Sequence, residues 1–183
     1  SPNVWLENIL TVGRWLLEQG IESIMLWGVR FGGLLQLTYQ DELHDNLPIS
    51  QQLLWKPVLN GKQFFGQFFR IKQASEMMNL AVGAKKTNWR QAVIDGEFVE
   101  VDGYITTKQM LQESELLSVV HNTSFRSPVV WLELANKTIS PAVKKIIGED
   151  SDIAMPYECA PFWQVPEIFE LPNLNEYNIS LLG

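Results

Sequence analysis

The 183-residue chain predicts an α/β fold, a parallel sheet with helices on both faces and a helical insertion midway. Two observations carry this expectation. Short apolar runs near residues 22–27, 52–57, 129–134 and 153–158 alternate with segments of helical period, and a continuously apolar strand fits a parallel sheet covered on both faces. Between the first strand and the next helix lies Leu26-Trp27-Gly28-Val29-Arg30-Phe31-Gly32-Gly33, where glycines bracket one charged residue. That pattern reads as strand, tight turn and helix start. Small residues at Gly28 and Gly32 would let the two backbones approach, with Gly33 completing the turn.

Each element follows from local chemistry. Ser1 and Pro2 suit an N-cap and first turn, and Trp5, Leu6, Ile9, Leu10, Val12, Leu16 and Leu17 form an apolar stripe, so a helix is expected over 2–19. After the glycine turn a helix is expected to about Leu43, closed by the polar stretch Asp41 to Asn46, in which His44 reads as solvated. The second strand ends at Pro57. From Lys62 to about Leu80, Phe64 and Phe68, Phe65 and Phe69, then Ala74, Met77 and Met78 share helical ridges, and they read as core before they read as a ligand pocket.

Past Lys85-Lys86, a short helix near Asn88 to Ile94 precedes a hairpin whose turn is Asp102-Gly103. Thr106 and Gln109 stand at capping-box spacing, so a helix is expected from Thr107 to about Leu117. After the third strand, Ser140-Pro141 starts a helix to about Ile147. The fourth strand runs towards Cys159, followed by the rigid aromatic loop Ala160 to Gln164 and a closing helix from Leu174 to Leu182. The chain thus divides into a first part of the core (1–59), an insertion placed as a lid (60–127) and a second part of the core (128–183).

Composition narrows the function. A formal charge of -7 with 14 Lys and Arg argues against a nucleic-acid surface. One cysteine excludes an internal disulfide, and two distant histidines argue against a His/Cys metal cluster, so neither metal nor cofactor is expected. No apolar run reaches the length of a membrane span and no leader opens the chain, which makes a cytoplasmic location the expectation.

The spacing Gly28-x-Arg30-x-Gly32 resembles the nucleophile elbow G-x-S-x-G of α/β hydrolases, with arginine where the nucleophile would stand. A guanidinium stays protonated and cannot attack a carbonyl. Beside a helix N-terminus it forms instead a site for anions. The other triad positions are also vacant. The loop after the third strand, Ala135-Asn136-Lys137-Thr138, has no carboxylate, although Glu133 lies just before it, and the loop from Glu158 to Trp163 has no histidine. His121 precedes its strand, at the wrong end of the sheet. Cys159 lacks a neighbouring base, and Glu113 with Glu115, like Glu149, Asp150 and Asp152, reads as solvated charge.

Four ordered motifs sharpen the likeness: Leu26 to Gly32; Leu54-Trp55-Lys56-Pro57-Val58-Leu59-Asn60-Gly61 with Gln67-Phe68-Phe69-Arg70; Gly96 to Tyr104; and Pro161-Phe162-Trp163-Gln164-Val165-Pro166-Glu167-Ile168. Together they resemble the exosortase A system-associated hydrolase 2 family. The resemblance implies an α/β-hydrolase-like fold, arginine at the elbow, and a context of exopolysaccharide production and exosortase-dependent sorting. The reading that fits both residues and resemblance is a catalytically silent pseudoenzyme that binds a small anionic or acyl ligand at the former active site. Arg30 would anchor the anion, with Phe31, Asn60, Phe162 and Trp163 around it, and Glu133 or Glu158 is expected to neutralise the arginine internally. The alternatives are an acyl-ester hydrolase with a displaced nucleophile, or one supplied by a missing N-terminal segment, and a purely structural interaction module. Because the chain opens at the helix before the elbow, a partner chain or a preceding segment is expected to complete the sheet.

Overall fold

The computed structural model describes residues 1–79, 87–101, 103–119, 124–148, 153–164, 171, 173, 174, 176 and 180, without the side chains of 75, 77–79 and 164. In chain order the elements are α1 (Pro2–Glu18), β1 (Ile24–Val29), α2 (Phe31–Thr38), α3 (Gln40–Asn46), β2 (Ile49–Trp55), α4 (Gly61–Asn79), α5 (Trp89–Ile94), β3 (Val99–Val101), β4 (Tyr104–Thr106), α6 (Lys108–Glu115), β5 (Val129–Leu134), α7 (Pro141–Ile147) and β6 (Ala154–Tyr157), with a 3-10 turn at Phe162–Gln164. Strands β1, β2, β5 and β6 form a four-stranded sheet in that order, every pairing parallel. The expected strand order is therefore observed.

Alternate side chains divide the sheet into two faces. On one, Leu54, Val129 and Trp131 pack against Leu37 of α2 and Val143, Ile146 and Ile147 of α7. On the other, Leu53, Trp55, Leu132 and Leu134 are covered by Phe162, Trp163, Leu171 and Leu174. Most of the expected closing helix lies outside the described residues, but Leu174 itself is fully buried. Helices α1 and α3 pack Leu10, Leu43 and Leu47 against Ile24 and Ile49 at the start of β1 and β2. The α1 stripe is broader than its contact: Val12 stays exposed, as does Trp15 outside the stripe. Among the described residues β1 pairs only with β2, and Trp27 and Val29 are exposed beside it.

Several boundaries differ from expectation for identifiable reasons. Strand β2 starts three residues earlier because Ile49 pairs with Ile24 of β1 and is buried beside Leu10 and Leu43; within the strand, the buried Gln52 amide accepts from Gln36 Nε2 at 3.1 Å and donates to Ser127 Oγ at 3.2 Å. Strand β1 continues through Val29, which tightens the turn onto Arg30. The polar stretch after the glycine turn is a separate helix, α3, since its Leu43 and the Leu47 that follows it are buried in the cluster with Leu10 of α1. His44, read as solvated, is half-buried in α3 with Nδ1 2.7 Å from the Gln40 carbonyl oxygen. The cap of α6 is Thr107, whose Oγ1 accepts from Met110 N–H at 3.3 Å, while Thr106 is buried at the end of β4.

The segment between β2 and β5 has an apolar cluster of its own. Phe65 and Phe69 of α4 meet Ala92 and Val93 of α5, Val99 and Val101 of β3, and Leu111 of α6. Strands β3 and β4 form the expected antiparallel hairpin, with Gly103 at φ 82° in its turn. Glu115 is not a solvated charge: it accepts two hydrogen bonds from Arg90, at 2.7 and 2.5 Å, across α5 and α6. That pairing raises the Arg90 pKa, the side-chain hydrogen bond being the largest cause. The Lys85-Lys86 pair, Asp102, His121 and the Glu149, Asp150 and Asp152 group lie outside the described residues, as do the Met77 and Met78 side chains.

Candidate functional site

The turn between β1 and α2 brings three backbones together. A Cβ on Gly28 would lie 2.7 Å from Gly33 Cα, and one on Gly33 would lie 2.6 Å from Pro57 Cβ. Gly28 and Gly33 are thus the residues the approach requires. Gly32 is not, since a Cβ there would meet nothing within 4 Å. Sequence spacing suggested Gly28 and Gly32 because it cannot show that the helix contacts β1 one residue further on.

Arg30 sits at the apex with φ 50° and ψ -112°, a conformation strongly disfavoured for a side chain with a Cβ. Its backbone is held from both sides. Arg30 N–H donates to Trp55 O at 3.0 Å, and Arg30 O accepts from Leu34 N–H at 3.3 Å and Val58 N–H at 3.1 Å. The ends of β2 and α2 therefore fix the strained residue in place.

Among the described residues two further non-glycine residues adopt positive φ, Lys56 at 42° and Ala135 at 59°. They follow β2 and β5 directly, at the same carboxyl edge of the sheet. Between these strand ends opens a cleft of about 340 Å³. Its charged lining consists of Arg30, Lys56 and Glu133, and its polar lining of Gln63, Gln67, Asn136 and Ser140. Val58, Leu59, Phe64, Val143 and Trp163 add apolar walls.

The charges are not paired as the sequence suggests. Glu133, 3% exposed at the end of β5, takes Lys56 as its ion-pair partner. It also accepts from Asn136 Nδ2 at 2.8 Å and from Trp131 Nε1 at 3.3 Å, so a buried carboxylate is neutralised and hydrogen-bonded. Glu158 is exposed and lies 3.5 Å from Lys137, beside a separate hollow that includes Cys159. Neither forms a salt bridge with Arg30, which corrects the expectation of an internal partner.

Among the described residues Arg30 instead donates from Nη1 to the Lys56 carbonyl at 3.0 Å and stacks its guanidinium 4.9 Å from the Trp163 ring centroid. Burial lowers its pKa, an effect Glu133 partly opposes. It remains a cation, seated at the positive end of α2 where a cation is disfavoured. Lys56 and Glu133 cancel, so one positive charge in the cleft is left without a carboxylate among the described residues.

The other residues singled out from sequence lie elsewhere. Phe31 is packed between Trp5, Phe64 and Phe65, with ring centroids 5.7, 5.0 and 6.0 Å away. Asn60 caps α4, its Oδ1 accepting from Gln63 N–H at 3.0 Å. Phe162 packs on Trp55 at 6.4 Å, behind Trp163. Arg30, Glu133 and Trp163 are brought together at the cleft. Lys56, Gln63, Gln67 and Asn136 were missed. Gln63 and Gln67 at i, i+4 on the helix after β2 were the available signal, whereas the positive φ that aims Lys56 leaves none in the sequence.

The cleft contains one hydroxyl, Ser140, and neither thiol nor imidazole among the described residues. Ser140 Oγ caps α7, accepting from Val143 N–H at 3.3 Å. No group of three or more metal-ligating side chains occurs among the described residues, and no described helix is long and apolar enough to cross a membrane. The fold and cleft define an α/β protein with a four-stranded parallel sheet and a cationic pocket at its carboxyl edge. No family model, curated protein or solved structure matches the chain.

Proposed function

We propose that the chain is a catalytically silent α/β-hydrolase-like protein that binds a small anionic ligand at the elbow cleft, with Arg30 as the anchor. The observation that carries this reading is the state of Arg30: strained, half-buried, at a helix N-terminus, and without a carboxylate within salt-bridge distance among the described residues. Each feature is unfavourable for a structural arginine. All become useful when an anion enters. Trp163 and Lys56 O orient the guanidinium, and Gln63, Gln67 and Asn136 offer further polar groups along the wall.

The resemblance in the four motifs supports the hydrolase-like assignment, a lid role for the 60–127 segment, and a place in an exosortase and exopolysaccharide system. A cytoplasmic location accords with that reading. The edge of β1, unpaired among the described residues and with Trp27 and Val29 beside it, suits a further strand from a partner chain or another segment. The test is activity-based labelling with a fluorophosphonate probe alongside anion titration by calorimetry. Absence of labelling with saturable anion binding that Arg30→Gln abolishes is the expected result. Stoichiometric labelling of a serine, or no binding of any anion, overturns the reading.

A further inference from the structure

The charge balance of the cleft also selects among anions. Among the described residues one cation of the cleft has no salt bridge, because Lys56 is held by Glu133, and Glu133 is buried with three donors on its two oxygens. A dianionic phosphate would bring two charges to one available cation. Recruiting Lys56 to balance the second would break the buried pair and leave Glu133 facing the phosphate as a like charge. A monoanion requires no such rearrangement. The guanidinium, its Cζ over Trp163 at 4.9 Å from the ring centroid, has N–H groups beyond the one donated to Lys56 O, and a planar carboxylate matches a guanidinium edge with two parallel hydrogen bonds.

The rest of the lining describes what the carboxylate is attached to. Phe64 and Trp163 face the cleft together with Val58, Leu59 and Val143. At about 340 Å³ the cleft lies at the small end of the range for ligand sites. From this geometry, and resting on the anion-binding reading above, we infer that the ligand is a small monocarboxylate with an apolar or aromatic tail. The carboxylate sits on Arg30 and the tail lies between Phe64 and Trp163.

The experiment is isothermal titration of the full chain at pH 7.5 with four probes: 3-phenylpropanoate, its amide, phenyl phosphate and inorganic phosphate. At that pH the phosphate monoester is largely dianionic. The expected result is saturable binding of 3-phenylpropanoate, at least tenfold weaker binding of phenyl phosphate and of the amide, and at least a tenfold loss in Arg30→Gln. The unfolding midpoint of that variant, measured in parallel, shows that the loss is not a loss of fold. Phenyl phosphate binding as tightly as the carboxylate overturns the monocarboxylate inference and leaves the anion-binding reading standing. Equal binding of acid and amide, binding unchanged in a folded Arg30→Gln, or no binding by any probe overturns both.

Discussion

Lys56→Met and Arg30→Met remove a cation from the same cleft and keep an unbranched stem, yet the structure assigns them very different consequences. Lys56 neutralises Glu133, a carboxylate with 4% of its side chain exposed. Removing one partner of a buried pair costs about 3 to 5 kcal/mol. Lys56 is itself 20% exposed, and Asn136 and Trp131 still donate to Glu133, so the lower end, about 3 kcal/mol, is expected. Arg30→Met loses one hydrogen bond to Lys56 O and the stacking on Trp163, together about 1.5 kcal/mol. Removing a cation from the α2 N-terminus returns about 0.5 kcal/mol. The net cost is about 1 kcal/mol. Both variants retain a Cβ at a positive φ, so backbone strain cancels in the comparison. Urea unfolding followed by circular dichroism measures the two midpoints. A loss of 3 kcal/mol or more in Arg30→Met, equal to or above that in Lys56→Met, would refute the charge assignment and mean that Arg30 is the structural partner of a carboxylate.

Two other outcomes are expected of the same unfolding assay. Gly28→Ala and Gly33→Ala each lose about 2 to 3 kcal/mol, because the new methyl meets Gly33 Cα or Pro57 at under 3 Å, whereas Gly32→Ala is neutral or gains up to about 1 kcal/mol in helix propensity. Equal losses at all three would show that the close approach is wrongly placed. Arg90→Met loses about 1 kcal/mol, since the bidentate bond to Glu115 is half open to solvent at the arginine, and the difference from wild type shrinks in 1 M salt. A salt-independent loss would point to packing of the arginine stem instead.

How much of this was legible in the sequence depended on whether the information was local. The helix start at Ser140, the short helix near Asn88 to Ile94 and the β3–β4 hairpin are set by neighbours within a few residues and were readable, and the order of the four parallel strands followed from right-handed crossovers between successive apolar runs. Strand β2 was read late because Ser50 and Gln51 look polar, and only pairing with β1, with Ile49 buried beside Leu10 and Leu43, extends the strand back to Ile49. In the same way Arg30 and Glu133 were both recognised as edge residues, but Glu133 was expected to pair with Arg30 and pairs instead with Lys56. Which cation reaches Glu133 turns on the backbone at Lys56, whose positive φ has no glycine to announce it. Phe162 and Phe31, singled out as aromatics near the elbow, were drawn instead into packing behind the site.

The strain at Arg30 gives the last and most direct prediction. At φ 50° and ψ -112° a residue with a Cβ carries about 1 to 3 kcal/mol of conformational strain, which glycine does not. Arg30→Gly and Arg30→Ala lose the same guanidinium contacts, so their difference isolates the backbone. Glycine's greater freedom in the unfolded chain offsets about 0.5 to 1 kcal/mol, which leaves Arg30→Gly more stable than Arg30→Ala by about 1 kcal/mol. An alanine variant as stable as the glycine one would show that the apex is relaxed. Glycine already stands at Gly28, Gly32 and Gly33 around this turn, so an unstrained apex was within reach of the local sequence. A side chain is kept where the backbone disfavours one, held by bonds from Trp55, Leu34 and Val58, and the side chain kept there cannot act as a nucleophile. What the strained position does provide is a cation presented to the cleft with no salt bridge to the carboxylate beside it, which is what the proposed anion site would use.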